Sequence, residues 1–212
     1  MLTWFLVCVL GITATLPIHF LSVEHQKLEK RYGKEKGIRV GRTCGLISGW
    51  GLFSFWIGIW VTPQPRFTIL VGIGSTGLLP GLSFSIPFFH LIICILFVIT
   101  GGWMAIEGVR EITLWAAETH RTDQVVTVGV YSVVRHPQYL GGLLAHIGIS
   151  FLLSAWHSLL FTPVVLAIVV LISCKEEKEL VKEFGRLYLD YKKTVPMLIP
   201  RFRVLQHPNV QA

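Results

Sequence analysis

Five apolar blocks constrain what this chain can fold into. They occupy residues 2–21, 44–61, 87–106, 140–153 and 158–174. A helix needs about 20 residues at ~1.5 Å each to cross a hydrocarbon core of ~30 Å. By that measure the first three blocks are full spans and the last two are short. Composition agrees, because 52% of the 212 residues are hydrophobic, 15% are charged and the mean hydropathy is +0.62. No polar stretch is long enough to carry a core of its own. The fold expected is an all-α membrane protein with about five transmembrane helices and a C-terminal cytosolic amphipathic helix. Residues 1–212 then form a single polytopic domain.

Charge placement gives the expected orientation. Seven Lys/Arg lie in residues 23–43, three in 107–139 and eight from 175 onward, so eighteen of nineteen fall on one side; only Arg66 falls on the other. Excess Lys/Arg marks the cytoplasmic face, which puts the N-terminus outside and the C-terminus inside. Each basic stretch abuts a span and is interleaved with Glu. The partners this implies are anionic membrane lipids rather than nucleic acid. Residues 1–21 lack a basic leader and carry their basic cluster afterward, so they read as a retained span rather than a cleaved signal. Cys8, Cys44, Cys94 and Cys174 are scattered in or beside spans and read as small buried hydrophobes.

Along the chain, residues 24–32 read as a helical extension broken by Gly33 and Gly37. The glycine-rich stretch Gly72-Ile73-Gly74-Ser75-Thr76-Gly77, with Pro80 behind it, reads as a re-entrant turn or distorted half-span. It lacks the Lys-Ser/Thr of a phosphate loop. Residues 107–139 form a long connection, and connections of that length are commonly functional. Within it, residues 124–128 read as an extended segment leading into Gly129. Pro137 fits the first turn of the next helix. Gly141, Ala145 and Gly148 keep one flank of that helix slim. The last helix is expected over about residues 175–191, with Leu180, Val181, Phe184, Leu187, Tyr188 and Tyr191 as its apolar stripe. Glu176 and Glu177 each stand one turn before that stripe and point with it. Lys178, Lys182 and Lys192 cover the outer face, and Glu179 lies on the solvated side.

The polar groups cluster at the mouths of the two short spans. Tyr131, Arg135, His136, Gln138 and Tyr139 precede one, and Lys175, Glu176 and Glu177 follow the other. Ionisable residues at a membrane edge are costly to retain, so a functional site is the default reading. These groups suit an adenosyl sulfonium cofactor. A carboxylate such as Glu176 can accept the ribose hydroxyls or the ammonium, His136 and Arg135 can bind a carboxylate, and Tyr131 or Tyr139 can stack or donate. Methyl transfer chiefly requires donor and nucleophile to be held in line, away from water.

Gly129 through Gly141, followed by Glu176-Glu177, Phe184-Gly185, Tyr188, Tyr191 and Val195-Pro196, resembles the isoprenylcysteine carboxyl methyltransferase and phospholipid methyltransferase superfamily of integral membrane methyltransferases. The resemblance covers residues 123–200. It implies an S-adenosylmethionine-dependent methyltransferase acting on a lipophilic or membrane-borne acceptor. It also implies that Tyr131, His136, Pro137, Gln138, Tyr139 and Glu176 line the cofactor site, joined by Asp123, Gln124, Val125 and Val126. Arg135, Ile172, Lys175 and Glu177 fall on the substrate side. Two departures stand out: Asp123 where family members often have His, and Ile172 where isoprenylcysteine enzymes have Arg. The second argues against a carboxylate acceptor, with Lys175 as a partial substitute.

Plainer roles exist for each group alone. Arg135 can be a headgroup anchor, His136 an N-cap, and Glu176 and Glu177 partners of Lys175 and Lys178. The remaining histidines show no metal-ligand spacing, so no metal is expected. No residue is singled out as a catalytic base, and the acceptor and oligomeric state are left open. Two rival functions share parts of the pattern: an NADPH-dependent reductase of lipid double bonds resembling sterol reductases, and a non-catalytic membrane factor of the same fold. The paired glutamates before Phe184-Gly185 favour the methyltransferase over the reductase.

Overall fold

The computed structural model describes residues 2–69, 75–77, 85–112 and 124–201. Asp123, Gly72–Gly74 and Pro80 therefore lie outside the described residues. Seven α-helices account for nearly all of the described chain: α1 (Leu2–Val23), α2 (His25–Tyr32), α3 (Lys34–Val61), α4 (Phe88–Ile112), α5 (Pro137–Leu152), α6 (Trp156–Phe184) and α7 (Arg186–Thr194). Two triplets, β1 (Ser75–Gly77) and β2 (Ser85–Pro87), pair antiparallel before α4, so the chain doubles back there. The protein is an all-α membrane protein. Four helices, α1, α3, α4 and α6, are long and apolar enough to cross a membrane. At 16 residues α5 falls short of that.

Contacts order the helices into alternating passes. His19 on α1 meets Ser48 on α3, and Cys8 meets Gly58, so α1 and α3 run antiparallel. Gly108 on α4 faces Pro137 and Gln138, while Gly148 on α5 faces Cys94 and Phe97. Tyr139 on α5 reaches Glu176 on α6. Hence α1, α4 and α6 run one way and α3 and α5 the other. Leu2 begins α1 and Arg201 follows α7, so the first and last described residues lie at opposite ends of the bundle. The short α5 completes the fifth pass by packing between α4 and α6.

Close backbone approach makes the α4–α5 contact possible. A Cβ on Gly101 would stand 2.6 Å from the carbonyl oxygen of Gly141, and one on Gly141 would overlap the carbonyl oxygen of Gly101. In lipid, where apolar side chains gain little by meeting one another, such small-residue crossings are a main source of association. The slim flank read from Gly141, Ala145 and Gly148 is thus filled by a neighbouring backbone.

The end of the bundle remote from the polar cluster is fastened by hydrogen bonds. His146 accepts the indole hydrogens of Trp56 (2.8 Å) and Trp60 (3.1 Å) at Nδ1, and its Nε2 donates to the Ser158 carbonyl at 3.1 Å. The segment after α3 straps onto the α5–α6 turn. Phe67 donates to Ser154, Trp156 to Pro65, and the Arg66 guanidinium to the Leu153 carbonyl. Arg66, the lone basic residue at that end, is held by protein there.

Three boundaries differ from the sequence reading. Gly37 does not break a helix; it lies inside α3, where a Cβ would strike the α2 backbone at Glu29 (2.8 Å). The helix expected from about residue 175 is instead the continuation of the last span, because α6 runs unbroken from Trp156 to Phe184. The Lys-Glu-Glu triplet marks where the helix leaves lipid, and nothing in it interrupts hydrogen bonding. The break comes at Gly185, whose φ of +55° suits glycine, and α7 follows.

Candidate functional site

Four segments converge at the charged end: the α1–α2 junction, residues 124–139, the last turns of α6, and α7 with the strand-like tail behind it. Residues 124–127 are irregular, Gly129–Ser132 form a 3-10 turn, and Pro137 occupies the first turn of α5. The tail fixes this loop, since the backbone amides of Arg135 and His136 donate to the carbonyls of Pro196 (2.9 Å) and Met197 (3.1 Å). Leu198 is buried in the core beneath it.

One buried carboxylate organises the charges. Glu177, only 2% exposed, accepts from Arg135 Nε at 2.7 Å, Lys192 Nζ at 2.7 Å and His136 Nε2 at 3.3 Å. Arg135 also donates to the carbonyls of Lys192 (3.2 Å) and Val195. A buried carboxylate is tolerable only when its lone pairs are met in this way. The group ties α5, α6 and α7 into one unit. Arg135 is therefore a buried internal clamp and not an exposed headgroup anchor. Lys192, expected on the outer face, turns inward to Glu177.

Beside this clamp lies a cleft of about 160 Å³. Gln124, Val125, Val126, Tyr131, His136, Pro137, Gln138, Tyr139 and Glu176 all line it, so every described residue assigned to a cofactor from the sequence faces one space. His136 heads α5 without capping it by its side chain. Its ring instead sets Nδ1 3.5 Å from Glu176 and stacks on Tyr139 with centroids 5.6 Å apart. Tyr139 donates its hydroxyl to Glu176. Tyr131 donates to the Gly108 carbonyl (3.3 Å), and Tyr191 donates to the Tyr131 carbonyl (2.6 Å). Burial pushes the phenols of Tyr131 and Tyr191 above the usual range, so both remain neutral donors.

The substrate-side residues separate. Arg135 lines the cleft while serving the clamp, and Glu177 lies within the clamp. Lys175 bridges to Glu24 at 2.5 Å, fastening the α1–α2 junction to α6. Ile172 lines a second hollow, an apolar groove of about 550 Å³ between α1, α3 and α6. Tyr139 lines both spaces, so the polar cleft and the apolar groove adjoin at one side chain.

Several lining residues were missed from the sequence, among them His25, Ile112, Glu179 and Glu183. Glu179 is the clearest correction. Placed on the solvated side, it is in fact 6% exposed and faces the cleft. Glu176, Glu179, Leu180 and Glu183 follow the spacing of a single helix face, a pattern already present in the helix expected over about residues 175–191. Among the described residues no group of His, Cys, Asp or Glu has the arrangement of a metal site.

Comparison with known proteins agrees with this geometry. Residues 89–187 match the phospholipid methyltransferase family, which extends the resemblance N-terminally over α4. A methanethiol S-methyltransferase 2 of Bradyrhizobium diazoefficiens is 43% identical over 72 residues, 34% of this chain and 27% of that protein. The protein-S-isoprenylcysteine O-methyltransferase of Schizosaccharomyces pombe is 37% identical over 86 residues, 40% of this chain and 36% of that protein. A methanethiol S-methyltransferase of Crocosphaera subtropica is 34% identical over 94 residues, 44% and 36% of the two chains. The matches thus span about a quarter to a third of these relatives' own lengths. Over residues 89–187, a little under half of its length, the chain is similar to the phospholipid methyltransferase family, and parts of it are similar to these named methyltransferases.

Proposed function

We propose that this protein is an S-adenosylmethionine-dependent membrane methyltransferase, with the cofactor in the polar cleft and a lipophilic acceptor in the apolar groove. The observation that carries the reading is the junction at Tyr139, where a charged, tyrosine-lined cleft adjoins an apolar groove at bilayer depth. The donor set of the cleft suits the cofactor. Glu176 can accept from a ribose or an ammonium, Gln138 and Tyr131 offer amide and phenol groups, and Val125, Val126, Ile112 and Leu180 give the adenine an apolar wall. When bound, the cofactor supplies a methyl group on a cationic sulfur, which an acceptor lone pair takes. The chain's own part is to hold the two molecules adjacent and to exclude water. The relatives named for thiol and carboxylate methylation bracket the acceptor chemistry. The basic end, with sixteen of the seventeen described Lys/Arg, is assigned to the cytoplasm, the side from which a soluble cofactor would enter the cleft.

Calorimetry of the detergent-solubilised protein tests this reading. S-adenosylhomocysteine should bind and NADPH should not; the reverse would favour the reductase. Glu176→Gln and His136→Ala should each weaken binding roughly ten- to hundredfold, as expected for loss of a charged hydrogen-bond partner. Glu35→Gln, in an exposed pair with Arg39, serves as the control. Wild-type affinity in both cleft variants would place the cofactor elsewhere.

A further inference from the structure

We infer that the apolar groove gauges the length of the acceptor's hydrocarbon chain, with Trp56 as the stop; this rests on the methyltransferase reading above. The groove adjoins the cleft at Tyr139, and its innermost lining residues on α1, α3 and α6 are His19, Gly45 and Ile172. Its outermost lining residues on the same helices are Ile12, Trp56 and Phe161. Gly45 to Trp56 and Phe161 to Ile172 each correspond to a helical rise of ~16 Å, so the two long walls give one length. A C–C bond of ~1.52 Å at an angle of ~111° advances an extended chain by ~1.25 Å, which makes that length about thirteen carbons. It is also about half of a ~30 Å hydrocarbon core, the reach of one leaflet's chains.

Packed side chains close the outer end. Ile12 and Phe161 are buried in the core cluster, and Ile59, wholly buried in the same cluster, lies one turn beyond Trp56. Trp56 is itself held in place. Its indole donates to His146 Nδ1 at 2.8 Å, and its ring edge stands 3.6 Å from where a Cβ on Gly142 would lie. The walls suit an uncharged chain, since none of the described residues lining the groove is Asp, Glu, Lys or Arg. Each methylene buried there should raise affinity roughly three- to fourfold. Methanethiol, the acceptor in the names of two relatives, would gain none of this. On the rim, Trp50 and Phe53 are 67% and 52% exposed along α3, a helix apolar enough to span a membrane, so a chain can enter from the side. Gly49 lies on the same wall with no atom within 4 Å of where its Cβ would stand. A larger side chain there would occupy groove space without striking the protein.

The test uses the full chain in detergent, with labelled S-adenosylmethionine and a series of acceptors: methanethiol, butanethiol, octanethiol, dodecanethiol and hexadecanethiol. In the wild type kcat/KM should climb to dodecanethiol, roughly tenfold or more above butanethiol, and gain nothing further at hexadecanethiol. Variant-to-wild-type ratios at each length cancel the partition of thiol into micelles. Gly49→Phe should lower that ratio progressively with length, to roughly a tenth at dodecanethiol, as expected when about two methylenes are displaced. Trp56→Ala should act the other way and raise hexadecanethiol above dodecanethiol. In that variant Trp60 still donates to His146 Nδ1 at 3.1 Å, so the histidine keeps a partner. Affinity for S-adenosylhomocysteine should be unchanged in both. A wild-type preference for methanethiol, ratios that do not depend on length, or an unmoved optimum in Trp56→Ala would overturn the inference. If Trp56→Ala fails to fold, Gly49→Phe decides alone. Saturable binding of radiolabelled dodecanol without cofactor is the second readout; Gly49→Phe should weaken it roughly tenfold, and unchanged binding would refute the gauge. Absence of S-adenosylhomocysteine binding to the wild type would instead refute the methyltransferase reading, and the dodecanol arm would still decide the role of the groove.

Discussion

Removing Glu177 should destabilise the protein more than its single carboxylate suggests. Its two oxygens take Arg135, His136 and Lys192 at 2.7–3.3 Å. Glu177→Ala leaves the Arg135 guanidinium, itself 9% exposed, beside an ammonium with no counter-charge. Breaking a buried pair from one side costs about 3–5 kcal/mol, a large part of the ~5–15 kcal/mol that holds a typical fold together. For a chain of this size 1 kcal/mol moves the unfolding midpoint by roughly 2–4 °C, so a drop of about 6–20 °C is expected. Arg135→Met combined with Glu177→Leu should recover much of it, because an apolar replacement of both partners leaves no buried charge. Lys192, 35% exposed, can turn to water in that variant. The readout is thermal unfolding in detergent, followed by tryptophan fluorescence. A Glu177→Ala protein as stable as wild type, or a double variant as unstable as the sum of the singles, would refute the clamp.

Three further outcomes follow from the geometry. Gly141→Ala should lower stability by about 1–3 kcal/mol, seen as a lower unfolding midpoint, because the added methyl would overlap the α4 carbonyl at Gly101. The Glu24 carboxyl is held below its ordinary value by its hydrogen bond to Lys175 and then by that to Lys27. Its folded pKa is thus depressed, so its contribution is present above the ordinary carboxylate value and is lost as pH falls through the lower folded value; Glu24→Gln should flatten the acid limb of a stability–pH curve in that window. His146→Phe removes the acceptor of two buried indole hydrogens and should cost about 1–3 kcal/mol for each group left unmet, with a shift in tryptophan emission as the second readout.

The sequence made the apolar passes and the cleft residues legible for different physical reasons. Spans are written in bulk hydrophobicity, which survives errors of a few residues, and the alternation of charged and uncharged connections goes with the alternating direction of the helices. The residues from Tyr131 to Tyr139 and Glu176 were legible because polar groups at the mouth of a span are costly to keep unless they meet a ligand or one another. Side chains that depend on helix phase were not. Lys192 was assigned outward by running one helix past Gly185, where α6 ends and α7 begins with a new phase; Glu179 was assigned outward although it shares a helix face with Glu176 and Glu183.

The same continuity explains why the site is rigid at a place where chains often fray. Had α6 ended at the bilayer surface, Glu176 and Glu177 would sit at a helix end with solvent as their partner. Because the helix continues to Phe184 and α7 folds back after Gly185, Lys192 and the Val195 carbonyl return to Arg135 and Glu177. The tail then closes the Arg135 and His136 amides. His136 and Tyr139 are thereby fixed from below by the clamp and from the side by Glu176, before any ligand arrives. A site prepared in this way loses little entropy on binding, which is the condition for holding a methyl donor and an acceptor in line. Charged groups face the cleft while the groove is lined almost wholly by apolar side chains, so the two proposed ligands would be held in surroundings of opposite polarity.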